Sequence, residues 1–179
     1  MPKVRHTRAD YEQLPEGACA QLIEGELLMT PAPTPRHELL VARLIVRLGA
    51  FLGPAADRRL LGSKFEIVAG APPDEEIVQP DVAVLPEGAR ATGADWRPPT
   101  PVLVAEILSP STQRYDRGAK VRIYSVAGVK EAWLLDPAAC TVEVRDLRAA
   151  KVRTYASGEV AESFAVPGFR LDVATFFAA

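Results

Sequence analysis

Two acids stand where acids are expensive to place. Asp81 follows Val78-Gln-Pro and precedes Val82-Ala-Val-Leu85, and Glu106 lies inside Val102-Leu-Val-Ala-Glu-Ile-Leu108. A carboxylate in a buried strand costs several kcal/mol unless it is paired or coordinates a metal. If the two strands are neighbours, Asp81 and Glu106 offer hard oxygen ligands of the kind Mg²⁺ or Mn²⁺ prefers. The carbonyl of Ile107 lies next to the Glu106 side chain along a strand and is a candidate third ligand. Lys120, one to two turns into the helix expected after Ser109-Pro-Ser-Thr112, can reach back as a point charge. Metal ligands plus a fixed cation are what phosphodiester hydrolysis needs: an activated water and stabilisation of the extra phosphate charge. Arg114, Arg117 and Arg122 are close enough in sequence to contact phosphate.

The elements that position these residues are readable from hydrophobic period and turn chemistry. Residues 7–16 read as a short helical entry with Thr7 as N-cap, and Gln21 to Met29 as a hairpin turning at Gly25. Pro31-Ala-Pro-Thr-Pro35 leads into a helix over 35–52, where Leu40, Leu44 and Leu48 with Val41, Ile45 and Phe51 form an apolar stripe. Arg36, Arg43 and Arg47 lie off that stripe, and Gly53-Pro54 ends it. Residues 60–68 are expected as one strand, 69–76 as a polar loop, and 78–85 as a second strand containing Asp81. The Pro/Gly-rich stretch 86–101, with Trp96 as its bulky residue, reads as irregular. A buried strand over 102–108 precedes a helix over 112–127 that ends at Gly128. Strands follow at 131–135, 141–147 and 152–155, with a turn at Ser157-Gly158 and a last short helix over 173–177 opened by Asp172. The order implies an α/β or α+β fold, a mixed central sheet with helices on its faces.

Length and composition set the outer limits. At 179 residues with 48% hydrophobic and 25% charged residues, the chain is expected to form one domain with a substantial core: an N-terminal helical extension over 1–20, then 21–177. A net charge of −2 excludes a binder driven by a global basic field, though not a nuclease whose metal ions supply positive charge. The longest apolar stretches fall short of the ~20 residues of a membrane span, and the N-terminus has no apolar signal core. Cys19 and Cys140 form neither a metal motif nor a disulfide framework, so a reduced, cytoplasmic protein is the expectation.

Other polar residues have plainer readings. Ser109, Ser111 and Thr112 fit helix capping better than nucleophilic chemistry. His37 is the one internal histidine, and no Ser-His-Asp order is present. Asp116 stands four residues before Lys120, a spacing that lets it hold the lysine. Tyr124 and Trp133 read as packing residues, and Asp136-Pro137 as a strand end.

The strings Gln79-Pro-Asp81, Glu106-Ile-Leu-Ser-Pro-Ser-Thr112, Tyr115-Asp-Arg-Gly-Ala-Lys120, Tyr124, Gly128-Val129 and Glu131-Ala-Trp-Leu-Leu-Asp-Pro137 together resemble the Uma2 family. That group is assigned to the endonucleases of the PD-(D/E)xK superfamily, and the likeness runs from about Leu22 to Phe177. The resemblance implies a restriction-endonuclease-like fold, a divalent-metal site on Asp81 and Glu106, DNA as substrate and a homodimer in which each subunit cuts one strand. It departs from the superfamily at position 108, where Leu stands in place of the usual Lys; Lys120 is then the migrated counterpart. An acid from the first hairpin or helix often completes such sites. Glu24, Glu26 and Glu38 are candidates, while Gln21 stands where relatives carry an acid, and His37 falls where relatives place a cleft histidine. The competing expectation is a catalytically silent nucleic-acid-binding or assembly module on the same fold. A hydrolase of small phosphoesters is a third.

Overall fold

The computed structural model describes residues 4–15, 17–62, 65–89 and 99–178. Trp96 and most of its irregular stretch lie outside the described residues. A one-turn helix, α1 (Arg8–Tyr11), opens the chain, and its start is fixed by a capping box in which Asp10 accepts from the Thr7 amide at 2.7 Å. Strands β1 (Ala20–Ile23) and β2 (Glu26–Met29) form the expected hairpin. Its turn residues Glu24 and Gly25 both have positive φ, 54° and 77°, as the tight primed turns of two-residue hairpins demand. A Cβ at Gly25 would also crowd the Arg5 side chain, whose Nε would lie 2.9 Å away.

Helix α2 (Pro35–Leu52) has Thr34 as N-cap, its hydroxyl accepting from the His37 amide at 3.2 Å, with Pro35 in the first turn. Leu40, Val41, Leu44 and Leu48 are buried as the stripe requires. Phe51 stays 45% exposed, its ring edge-on to Phe169 at 5.7 Å. Gly53 does not end the helical run: a 3₁₀ turn (Gly53–Ala55) and α3 (Ala56–Arg59) continue it. The helical run Pro35–Arg59 is thus 25 residues long and holds an 18-residue window of mean hydropathy 1.7, enough to cross a bilayer by length and composition alone. The inner face of α2 is nonetheless committed to the core, and Arg43 donates to the Phe176 carbonyl at 3.1 Å, as in a core helix.

The strand expected over 60–68 is two strands in different sheets, β3 (Leu60–Leu61) and β4 (Ile67–Ala69). The one expected over 78–85 likewise divides into β5 (Glu76–Val78) and β6 (Val82–Val84). Pro80 has no N–H to give a ladder, so pairing lapses over Gln79-Pro80-Asp81 and the chain passes from one sheet to the other. Asp81 therefore sits just before a strand rather than within one. The first sheet, in order β2-β1-β5-β4, is wholly antiparallel.

The second sheet is the mixed sheet of the fold. It is built from β3, β6, β7 (Leu103–Ile107), β8 (Glu131–Asp136), β9 (Thr141–Asp146) and β10 (Lys151–Tyr155), in order β10-β9-β8-β7-β6-β3. Only β7 and β8 are parallel. Their crossover carries α4 (Gln113–Tyr115), a π turn (Asp116–Lys120) and α5 (Val121–Val126), and ends at Gly128 with φ 89°. Strand β7 is buried at every position. Leu103, Ala105 and Ile107 face the core under α2, and Val104 faces Ile123 and Tyr124 of α5.

A third, two-stranded sheet, β11 (Val160–Glu162) with β12 (Arg170–Asp172), precedes α6 (Val173–Phe177). Neither strand was legible, each being three residues long. Glu131, fully buried, ties this unit to the large sheet: the Phe164 and Ala165 amides donate to its Oε2 at 2.9 Å, and Trp133 Nε1 donates to its Oε1.

Candidate functional site

The site forms where the chain leaves one sheet for the other. Val82 pairs with Ala105 across the antiparallel β6–β7 ladder, and one further step along that register sets Asp81 opposite Glu106. Directly opposed residues of an antiparallel pair share a face; here it is the α5 side, where Ala83 and Val104 also point. Asp81 Oδ2 accepts from the Ile107 amide at 2.8 Å, which locks the two segments together at the strand ends. His37 closes on the same oxygen, with Nε2 3.2 Å away. That hydrogen bond to Asp81 raises the imidazole above its ordinary value against the opposing effect of burial. Its other nitrogen, Nδ1, is the one buried side-chain polar atom among the described residues without a hydrogen-bond partner. The nearest acid, Glu38, is 3.6 Å from it.

Lys120 is nearly fully buried. Its Nζ lies 2.6 Å from Glu106 Oε1, 3.2 Å from Asp116 Oδ1 and 3.2 Å from the Gln79 carbonyl. An ammonium has three N–H donors, and three oxygens take them. The π turn matters to this arrangement, since its extra residue swings side chains off the regular helical spacing, and here it buries both Asp116 and Lys120. Tyr124, four residues on, donates its hydroxyl to the same Oε1 of Glu106. Burial pushes the Glu106 carboxyl up, to about 8, against the pull of Lys120. For Lys120, burial acts downward, but the charges of Glu106, Asp116 and Asp81 outweigh it and hold the ammonium above its ordinary value. Tyr124 is raised by burial and by the Glu106 charge.

His37, Asp81, Glu106, Asp116 and Lys120 line a cleft of about 490 Å³. One wall is Gln21, Thr30, residues 31–34 and His37; the other is Ile107, Ser109, Ser111 and Thr112. Gln21 is structural on its polar side, its Oε1 accepting from the Gln79 amide at 3.1 Å. Ser109 caps the following turn, accepting from the Thr112 amide at 3.3 Å and bonding the Thr112 hydroxyl at 2.8 Å.

The structure thus brings Asp81, Glu106, Ile107, Lys120, Asp116 and His37 into one place. Glu26 is not among the cleft-lining residues, and Glu24 pairs with Arg122 at 3.5 Å. Glu38 lines the cleft but is well exposed. Two of the three candidate phosphate-binding arginines are spent elsewhere. Arg117 is held by Asp136 and Glu143 at 3.0 and 2.9 Å, and Arg122 by Glu76 at 2.7 Å; Arg114 is exposed. Tyr124 and the Gln79 carbonyl were not read from sequence as parts of this cluster. The signal for Tyr124 was its place four residues after Lys120 on one helix.

Among the described residues, no three His, Cys, Asp or Glu side chains converge as a metal cluster. Two carboxylates with a neighbouring backbone carbonyl still suit a hard ion. Mg²⁺ keeps several waters and is commonly held by one or two carboxylates, so the donor set fits such an ion.

The same mixed α/β fold occurs in a solved structure. A crystal structure from Anabaena variabilis, described as "a putative nuclease belonging to DUF820", matches with a TM-score of 0.75 over 96% of this chain and 97% of its own, at 19% identity. The chain belongs to the Uma2 family, whose model, described as "Putative restriction endonuclease", matches residues 8–174. No curated protein matches it.

Proposed function

We propose that this protein is a divalent-metal-dependent endonuclease that hydrolyses phosphodiester bonds in DNA. The observation that carries the reading is the convergence of Asp81, Glu106 and Lys120 in one cleft of a chain belonging to a nuclease family. Asp81, Glu106 and the carbonyl of Ile107 are the residues that would hold Mg²⁺ or Mn²⁺. When bound, such an ion supplies Lewis acidity and a water of lowered pKa. His37 fixes the Asp81 carboxylate through its 3.2 Å contact. Lys120 and Tyr124 fix Glu106 by bonding one of its oxygens, so the other is free to face the cleft. The Lys120 charge also sits beside the reacting phosphate, where a preorganised cation stabilises developing negative charge. A homodimer cutting the two strands of a duplex belongs to the same reading.

One observation favours a second reading. All three donors of Lys120 are occupied, and Leu108 stands where the superfamily lysine would be, which suits a silent nucleic-acid-binding module. Nicking of supercoiled plasmid separates the two. Wild-type protein with Mg²⁺ or Mn²⁺ is expected to nick; EDTA, Asp81→Ala and Glu106→Gln are each expected to reduce nicking by about a hundredfold or more. Salt-dependent binding without nicking under either metal would replace this reading with the silent module.

A further inference from the structure

We propose that the Lys120 ammonium permanently fills one cation position in the cleft, so that the site takes a single divalent ion rather than a pair. This inference rests on the metal-nuclease reading above and deepens it. The ammonium sits in a cage of three oxygens drawn from three separate segments: Glu106 Oε1, Asp116 Oδ1 and the Gln79 carbonyl, at 2.6, 3.2 and 3.2 Å. Both Lys120 and its two acids are almost fully excluded from water. Carboxylate and carbonyl oxygens gathered at one buried point are the ligands a hard cation takes; here a side chain of the protein supplies the cation.

The donors that remain are too few for two ions. Asp116 and one oxygen of Glu106 are committed to Lys120, and Tyr124 takes the same Glu106 oxygen. The second oxygens of Asp81 and Glu106 and the Ile107 carbonyl are left, and among the described residues no three His, Cys, Asp or Glu side chains converge as a cluster. Charge points the same way. With all three carboxylates ionised, as ligation of a metal requires, Asp81, Glu106 and Asp116 against one ammonium leave two negative charges, which one divalent ion neutralises. Stabilisation that a two-ion site divides between paired metals falls here to one ion and one fixed ammonium.

The test counts bound Mn²⁺ on the full chain without DNA, by isothermal titration calorimetry and by the loss of free-Mn²⁺ paramagnetic resonance signal. Wild-type protein is expected to bind one ion per chain, Asp81→Ala none, and Lys120→Met two, the second occupying the vacated oxygen cage. Two ions on the wild type would overturn the inference while leaving the metal-nuclease reading in place. No ion on the wild type would overturn both. A folded Lys120→Met variant that still binds one ion would show that the lysine fills no cation position. If that variant does not fold, the wild-type count decides alone.

Discussion

Glu106 takes two hydrogen bonds on one oxygen, from a buried lysine and a buried tyrosine, and this makes it a structural residue as well as a candidate ligand. Removing one partner of a buried ion pair leaves the other charge uncompensated, at a cost of about 3 kcal/mol or more. Glu106→Ala is therefore expected to lower the urea midpoint strongly, and Glu106→Gln, which preserves shape and an acceptor, to lower it less; equal stabilities would show that Lys120 does not depend on this acid. His37 gives a pH prediction. Its pKa is raised by hydrogen bonding to Asp81, so its contribution to folding is full below the unfolded histidine value of about 6.5 and is lost as pH rises through the folded value. An NMR titration should find His37 above the ordinary range, and Asp81→Asn should bring it down; a wild-type value at or below that range would contradict the contact. Glu106 and Lys120 were legible because an acid inside an apolar strand demands a partner, and the next helix offered one. The Gln79 carbonyl was not, since a backbone group leaves no mark in a residue pattern. Nor was the π turn that presents Lys120 to it.

Helix α2 carries most of one core face, and its limits were written locally, in the Thr34-Pro35 start and the spacing of Leu40, Leu44 and Leu48. Leu48 is fully buried, so Leu48→Ala is expected to cost about 2–5 kcal/mol through lost transfer energy and the cavity left behind. Chemical denaturation measures it, and a loss below about 1 kcal/mol would mean that the helix does not pack as described. The strands were less legible where they are short and change sheets. An apolar run crossing Gln79-Pro80 reads as one strand, but proline's missing N–H breaks the ladder there, and Asp81 is held in the break by the Ile107 amide. Strands β11 and β12 depend on Glu131 of β8, which satisfies two amides of the loop connecting them. Glu131→Ala orphans those amides at about 1–3 kcal/mol each; hydrogen exchange should then quicken across 160–172 before it does in β7 and β8. Unchanged exchange in that segment would remove Glu131 as the tie.

At the scale of the molecule, two sheets meet at a cleft whose titratable lining is mostly acidic, on a chain with net charge −2. Such a surface does not draw DNA by itself, and the account makes the divalent ion the source of attraction as well as of chemistry. Affinity for a short duplex, measured by fluorescence anisotropy, is expected to rise at least tenfold when Ca²⁺ is added as a non-cleaving ion. Equal affinity with and without it would place DNA binding elsewhere on the surface. The family and the fold could be read from the string between Glu106 and Pro137; the division into two sheets could not, because it depends on pairing between distant segments. The most direct test of the central claim is an anomalous difference map from a crystal grown with Mn²⁺. The account predicts one peak, bounded by the carboxylates of Asp81 and Glu106 and next to the Ile107 carbonyl. A map with no peak in the cleft, or with its peak on other residues, would contradict it.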